Sequence, residues 1–409
     1  MLIKPEIDTL EQRERITNLK EALFAEERSA SVKQVNIITS IYKTYRSLPR
    51  NIKHAVALYD SLKGIEIRIA TDDLIVGNRT PSIRAGAVSP KPALRRAGKE
   101  SEPLPMRRQD RYDIRQEDIK EFRRNILPFW RGKTLEDMLD VVLGEELSSI
   151  GMLSRTNPPD SSQGHISTNT AEWLKFGPAG LREMAFANEK ASFDNADFYE
   201  GVAISLDGAC IFMKRYADLA RDMAVTADNP KELLEIARIC DKLSGQPPET
   251  FHEAVQSVWF LYIILHMESN ASSFSPGRMD QYLYPYYRGD LRAGRLTSAD
   301  ALELVQCLFL KFNQIVYMKS SPNNGFIAGF PICFNITVGG QDYTGSDAVN
   351  DLSYILLRAK ELLLLPQPHL SAMLHNKSPE HFLTRYAQVV GKDDGTPQSS
   401  SDDAVVPAQ

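Results

Sequence analysis

The chain has 409 residues, of which 43% are hydrophobic and 25% are charged, and this composition is typical of a globular protein with a large core. The formal net charge is -5 and no long basic tract is present, so nucleic acid is not an implied partner. The longest apolar run, residues 258–265, is far shorter than the roughly 20 residues of a membrane span, and the charged N-terminus is unlike a signal peptide. We therefore expect no membrane association.

Apolar residues recur at three- and four-residue spacing over the first two-thirds of the chain, which predicts helices with few strands between them. These helices span 32–45, 52–62, 134–147, 171–187, 196–223 and 231–243. Two later helices begin at capping-box signals, Thr250 with Glu253 and Thr297 with Asp300. A further helix is predicted to begin at Ser346 and to end near residue 364.

Strands are predicted only late in the chain. Residues 331–338 (PICFNITV) are β-branched and aromatic and precede two glycines, and residues 369–374 (HLSAML) follow a Pro-Gln-Pro sequence. The helix between them completes a βαβ unit, which predicts the start of a parallel sheet. Residues 393–409 are polar and rich in Ser and Asp, so we expect a disordered tail and a sheet edge without its next strand.

The four cysteines are widely spaced, without a C-x-x-C pair or a nearby His at metal-ligand spacing. They are Cys210, Cys240, Cys307 and Cys333. We expect no metal site and no bound cofactor. Free thiols in apolar patterns fit a protein of the reducing cytoplasm.

Six blocks, taken in order, resemble the pyruvate formate-lyase family of glycyl radical enzymes. They are DDLIVGNRTPSIRAG at 72–86, ILPFWRGKTLEDML at 126–139, GHISTNTAEWLKFGPAGL at 164–181, TFHEAVQSVWFLYIILHMESN and SFSPGRMDQYLYPYYRGDL within 250–291, FNITVGGQD and DAVNDLSYILL within 334–357, and LPQPHLSAMLH at 365–375. The resemblance extends from about residue 15 to about residue 392, roughly half of a full-length member. Its details are more similar to the glycerol and diol dehydratase branch than to pyruvate formate-lyase itself.

This resemblance implies a helix-rich α/β fold, the N-terminal half of a barrel whose parallel half-sheets are ringed by helices. Residues 1–392 would form the N-terminal part of the pyruvate formate-lyase domain, with an aberrant irregular loop at 89–106. The family acts on a small polyol or a small acid. A radical S-adenosylmethionine iron-sulfur enzyme installs its radical, and full-length members are homodimers.

The resemblance also implies that His165 and Ser273 bind substrate, because they occupy positions that contact substrate hydroxyls in dehydratase-like members. A neighbouring His suits dehydration, since it can supply a proton to a departing hydroxide. Four tyrosines at 282, 284, 286 and 287 are expected to pack rather than to bind ligand. Arg278 and Asp280, two residues apart, are expected to be structural partners.

The family's two radical-bearing blocks are absent from the 409 residues: G-C-x-E, which contains the thiyl cysteine and a Glu base, and R-V-x-G-Y, which contains the radical glycine. Cys333 lies in PICFNITVGG, without a Glu at the required spacing. No catalytic residue is therefore assigned, and we expect a truncated member that is inactive by itself. The alternative is a non-catalytic fragment that binds a small polyol or complements another subunit.

Overall fold

The computed structural model describes residues 4–90, 94, 104–139, 141–142, 144, 164–191, 195–318, 334–392 and 397–405. Helices dominate the described chain before residue 320, as the apolar spacing predicts. The helices are α1 Lys4–Asp8, α2 Glu14–Ala25, α3 Lys33–Thr44, α4 Arg50–Gly64, α5 Gln116–Glu121, α6 Leu127–Trp130, α7 Thr170–Ala191, α8 Ala196–Ala224, α9 Lys231–Leu243, α10 Phe251–Ser269, α11 Met279–Tyr282, α12 Tyr284–Arg292, α13 Ser298–Phe312, α14 Asp351–Leu363, α15 Glu380–Val390 and α16 Asp402–Val405.

Seven short strands complete the described part of the chain. They are β1 Ser29–Ser31, β2 Ala85–Ala87, β3 Ile166–Ser167, β4 Phe274–Ser275, β5 Asn335–Gly339, β6 His369–Leu374 and β7 Gln398–Ser401. Strands β1 and β2 pair with each other in parallel, apart from the rest.

The other five strands run parallel in the order β3, β4, β5, β6, β7. Strand β3 pairs with β4, and β5, β6 and β7 form a second ladder. A parallel bridge between Gly277 and Ile336 joins the two ladders, with the Gly277 amide donating to Asn335 O at 3.2 Å and the Thr337 amide donating to Gly277 O at 2.8 Å. The βαβ prediction is thus confirmed, and the parallel sheet extends to both sides of it.

The two capping boxes are present as predicted. The Thr250 side chain accepts from the Glu253 amide at the start of α10, and the Thr297 side chain accepts from the Asp300 amide at the start of α13. These caps satisfy backbone donors that a helix otherwise leaves unpaired at its first turn.

The predicted start of α14 at Ser346 is wrong. Ser346 belongs to a turn in which its amide and that of Thr344 donate to the Asp342 carboxylate, at 3.0 and 2.8 Å. The helix begins instead at Asp351, where the side chain of Asn350 accepts from the Leu352 and Ser353 amides in a capping box. The local side-chain bonds of Asp342 outcompete helix formation in this segment.

Part of the C-terminal segment also differs from expectation. We predicted disorder over 393–409, but Gln398–Ser401 forms β7 and pairs with β6, with Ser371 opposite Gln398 and Leu374 opposite Ser401. The adjoining edge of β6 is therefore covered by a polar strand. Most of the predicted loop at 89–106 lies outside the described residues, although the described Leu94 is buried.

Helix α10 forms the centre of the core, which explains its uninterrupted apolar sequence. Trp259, Phe260 and Tyr262 on this helix are fully buried, and a large cluster surrounds them with residues from α8, α13 and α14. A helix that is apolar on all sides is stable only when other elements cover it completely. Its C-terminal end is thereby fixed in position, with consequences for the loop that follows.

Candidate substrate site

The loop after α10 begins where the helix stops at Asn270, whose backbone is left-handed at a φ of 52°. Residues 270–278 leave the helix as predicted, with β4 in the middle of the loop and no helix through Pro276. The loop is shorter than the predicted 270–280, because α11 begins at Met279. Asn tolerates the left-handed conformation better than most residues, which makes it a common helix terminator. The chain can therefore turn sharply from the core toward the sheet.

The structure brings the two predicted site residues, His165 and Ser273, together. Ile166 pairs with Phe274 in the parallel register of β3 and β4, so His165 and Ser273 occupy adjacent positions one residue before this pair. Ser273 is 8% exposed, whereas His165 is exposed. The two side chains arise from different parts of the sequence but from the same end of two neighbouring strands.

Both residues have left-handed backbones, with φ of 61° at His165 and 62° at Ser273. This conformation costs free energy for residues other than glycine and recurs at functional sites where surrounding structure enforces it. Gly164 explains how the two strands come so close: a Cβ at this position would lie only 1.5 Å from the Ser272 carbonyl oxygen. Only glycine fits between the strands here.

Tyr262 connects the ends of both strands from the buried side. Its hydroxyl donates to the Ser275 carbonyl at 2.9 Å and lies 3.3 Å from the Thr168 hydroxyl. Burial raises the pKa of Tyr262 to about 12, so the phenol stays protonated and remains a donor at neutral pH. The sequence did not identify this residue, because it lies inside an apolar helical pattern.

The tyrosines after the loop have structural contacts. Tyr287 is buried against Phe251, and its hydroxyl lies 3.3 Å from that of Ser298. The Tyr282 hydroxyl donates to the Pro276 carbonyl at 3.0 Å, on the same loop as Ser273. These contacts support the prediction that the tyrosines pack rather than bind ligand.

Arg278 and Asp280 are linked through a shared turn at the end of β5. Arg278 donates to the Gly339 and Gln341 carbonyls, both at 2.7 Å, while the Asp280 carboxylate accepts from the Gly339 amide at 2.7 Å. Burial raises the pKa of Asp280 to about 6, although hydrogen bonds from Ser353 and Gly339 oppose the rise. Their role is to attach the loop to the end of β5.

A buried arginine near this loop was missed at the sequence level. Arg79 is 5% exposed, and its Nη2 donates to the Asn270 side-chain oxygen at the end of α10. His266, one helical turn earlier, is also fully buried and packs edge to face against Phe274 with 4.9 Å between ring centroids. The run VGNRTP gives no periodic signal that would distinguish Arg79 from a surface arginine.

The described cysteines do not contribute to this site. Cys210, Cys240 and Cys307 are free and buried in helices α8, α9 and α13. Burial raises the pKa of Cys210 to about 11 and raises the pKa values of the other two further. Cys333 lies outside the described residues.

Within the described ranges, no group of His, Cys, Asp and Glu has the arrangement of a metal site. No helix in these ranges has the length and apolar character of a membrane span.

Comparison with known proteins identifies the family. Residues 9–409 match the family model described as pyruvate formate lyase-like. The chain belongs to this family of glycyl radical enzymes. The resemblance of the six sequence blocks is thereby confirmed, and the match includes the C-terminal segment that the block comparison had left out.

Relatives and solved structures agree on the dehydratase and lyase classes. The chain is 31% identical to isethionate sulfite-lyase of Nitratidesulfovibrio vulgaris over 96% of its own length, and 32% identical to the probable dehydratase YbiW of Escherichia coli over 90%. The B12-independent glycerol dehydratase of Clostridium butyricum, solved with glycerol bound, superposes with a TM-score of 0.93 at 31% identity over 97% of this chain. The helix-rich fold class is confirmed.

The chain spans about half the length of these relatives. It covers 50% of the isethionate sulfite-lyase, 48% of YbiW and 52% of the glycerol dehydratase chain.

Proposed function

We propose that this chain forms the substrate-binding wall of a glycyl radical dehydratase or lyase that acts on a small hydroxylated compound. His165 and Ser273 bind the hydroxyl groups of that substrate. The observation that carries the proposal is their placement side by side, from paired strands and in left-handed backbones, at the loop that follows the central core helix. Placed hydrogen-bonding groups above a packed core are the usual means of orienting a small polar ligand.

His165 would supply a proton to the departing hydroxide in a dehydration, while Ser273 would orient the substrate by a hydrogen bond. Hydrogen abstraction in the family requires a thiyl cysteine and a radical glycine, and the 409 residues contain neither G-C-x-E nor R-V-x-G-Y. We therefore propose that the chain binds substrate but does not turn it over alone. Residues that contain those two blocks, treated by a radical S-adenosylmethionine activating enzyme, would be needed to complete the reaction, and full-length members of the family are homodimers.

The buried free thiols among the described residues favour a reducing compartment, and we place the protein in the cytoplasm on that ground.

Binding to the 409-residue chain tests the proposal directly. In an NMR-monitored titration with glycerol and 1,2-propanediol, the unmodified chain should show saturable shifts. His165→Ala and Ser273→Ala should each weaken binding by about tenfold, since each removes one hydrogen bond to the ligand. If neither substitution changes the affinity for the two polyols, His165 and Ser273 are not the substrate-binding residues.

Ser269→Ala provides the matched control. Ser269 is the last residue of α10, and its hydroxyl donates to the Leu265 carbonyl within the same helix at 3.3 Å. Its removal deletes a serine hydroxyl near the loop without removing a proposed ligand contact. Affinity for both polyols should stay within about twofold of the unmodified chain.

A further inference from the structure

Among the residues that the structure describes, Arg79 is a buried cation without a carboxylate partner. Its Nη2 donates to Asn270, but its Nε and Nη1 have no hydrogen-bond partner within the described ranges. Within the described part of the chain, the titratable group whose charge acts on Arg79 is the phenol of Tyr317 rather than a carboxylate. Burial of a charge that no opposite charge compensates is unfavourable, so its presence beside a proposed substrate site calls for a functional reason.

The charge persists at neutral pH. Burial lowers the pKa of Arg79 from 12.5 to about 10, which still leaves the guanidinium protonated at pH 7. Burial, followed by the nearby charge of Arg79, lowers the pKa of His266 well below its usual value, so this imidazole stays neutral. The C-terminal end of α10 offsets part of the charge, because the last carbonyls of a helix form its negative pole.

The segment that contains Arg79 is held rigidly against α10. The Gln256 side chain exchanges two hydrogen bonds with the Val76 backbone, each 2.7 Å long. The Trp259 indole donates to the Gly77 carbonyl at 3.1 Å. Because neighbouring residues fix the position of this charge, the direction of its electric field is constant. That field is screened much less than the field of a surface arginine.

We propose that Arg79 makes the site select hydroxylated substrates that also bear an anionic group, a carboxylate or a sulfonate. The inference rests on the proposed function, because it assigns the substrate class of the same proposed site. Arg79 contacts Asn270, and Ser273 lies three residues further along the same short loop. Since Nε and Nη1 are buried, Arg79 acts on the substrate through its field rather than by direct contact.

Four ligands and three variants of the 409-residue chain test the inference. Glycerol and 1,2-propanediol are the neutral ligands, while glycerate and isethionate provide the carboxylate and the sulfonate. The unmodified chain should bind both anions about tenfold more tightly than glycerol, the effect of one weakly screened charge. Arg79→Gln should abolish this preference and leave glycerol affinity within about twofold, whereas Arg79→Lys should retain most of it.

Arg84→Gln is the control, because Arg84 lies on the same segment and is partly buried. Its guanidinium stacks on Phe24, with 5.2 Å from the guanidinium carbon to the ring centroid. It should not change the preference for anions. Circular dichroism and thermal unfolding of every variant establish that it is folded, and Arg79→Lys keeps the test valid if Arg79→Gln unfolds.

The outcomes separate the two proposals. The role of Arg79 is overturned if all four ligands bind saturably without a preference for the anions, or if such a preference survives Arg79→Gln. Either result leaves the proposed polyol-binding role of His165 and Ser273 intact. Failure of the folded chain to bind any of the four overturns both. A preference for isethionate alone would narrow the anionic group to a sulfonate and support the inference.

Discussion

His165 and Ser273 were identified from sequence because they lie in blocks that resemble a known family, not because an isolated His or Ser is informative. Their left-handed backbones and the contact between Gly164 and the Ser272 carbonyl arise from strand pairing across more than 100 residues of sequence. No local pattern reveals such a contact. Arg79 was missed for the same reason, since its partner Asn270 is 191 residues away in sequence. Tyr262 was missed because it lies inside an apolar helical pattern.

Gly164→Ala should disrupt the site because the added methyl group collides with backbone rather than with a flexible side chain. We expect the free energy of unfolding to fall by about 3 kcal/mol, the upper range for overpacking, and polyol binding to be lost. Urea unfolding and the NMR titration measure the two effects. Gly289→Ala is the control, since a Cβ there meets no atom within 4 Å. If Gly164→Ala behaves like this control, the strands are not as close as described.

Tyr262→Phe removes only the hydroxyl that connects the ends of β3 and β4. The Ser275 carbonyl then loses its donor, so the free energy of unfolding should decrease by about 1 to 2 kcal/mol. Loosening of the strand ends should also weaken glycerol binding by several-fold. Tyr286→Phe, whose hydroxyl donates to Leu174 over a longer 3.5 Å, should change stability by less than about 0.5 kcal/mol. Equal effects of the two substitutions would rule out a special role for Tyr262.

Helix starts were predicted correctly where a cap and its partner lie close in sequence, as at Thr250 and Thr297. The start of α14 was not, because Ser346 resembles a cap but serves the Asp342 turn. The helix predicted over 171–187 lies within α7, which extends four residues further to Ala191 and contains a kink at Gly177, where φ is 63°. Local signals thus locate helices well, and they fail where two local motifs compete.

Glu253 illustrates how a single cap residue links two helices. Its carboxylate accepts from the Glu249 and Thr250 amides and from Arg238 and Lys242 on α9. Burial opposes ionisation, but these donors prevail and lower the pKa of Glu253 to about 2, below its unfolded value near 4.5. The stabilisation is therefore complete above about pH 4.5 and is lost as the pH falls toward 2.

We expect Glu253→Gln to reduce the free energy of unfolding by about 2 kcal/mol at pH 7. The difference from the unmodified chain should shrink as the pH is lowered from 4.5 toward 2. Urea unfolding across this range gives both values. Glu249→Gln, whose side chain is mostly exposed, should have little effect at any pH. A difference that does not vary with pH would contradict the ionised role of Glu253.

The sheet as a whole was only partly predictable. The βαβ unit followed from alternating strand and helix patterns, but β7 has the sequence QSSS, which lacks the β-branched and aromatic residues of typical strands. Pairing with β6 gives it a strand conformation that propensity does not indicate. Strands β3 and β4 have only two residues each, too short for any periodicity to be recognised.

Helix α1 and the segment that begins with α15 meet around one buried carboxylate. Glu361 on α14, with a side chain 3% exposed, pairs with Arg385 and Lys392, and Arg385 also pairs with Asp8 at 2.6 Å. Arg385 on α15 therefore joins α14 of the last βαβ unit to α1. Lys392, just after α15, forms a second ion pair with α14. These ion pairs connect α1, α14 and α15, and the spacing of residues in the sequence does not predict them.

The 409-residue chain should form no glycyl radical when it is incubated anaerobically with a radical S-adenosylmethionine activating enzyme and its cosubstrate. The reason is chemical, because the radical requires a glycine in the R-V-x-G-Y setting and none is present. Turnover of glycerol, 1,2-propanediol or pyruvate should also be undetectable, since Cys210, Cys240 and Cys307 are buried within helices α8, α9 and α13. Electron paramagnetic resonance measures the radical, and product assays measure turnover. A full-length glycyl radical dehydratase, activated in parallel, provides the positive control. A glycyl doublet from the 409 residues alone, or turnover abolished by Cys333→Ala, would show that the chain contains a radical site of its own.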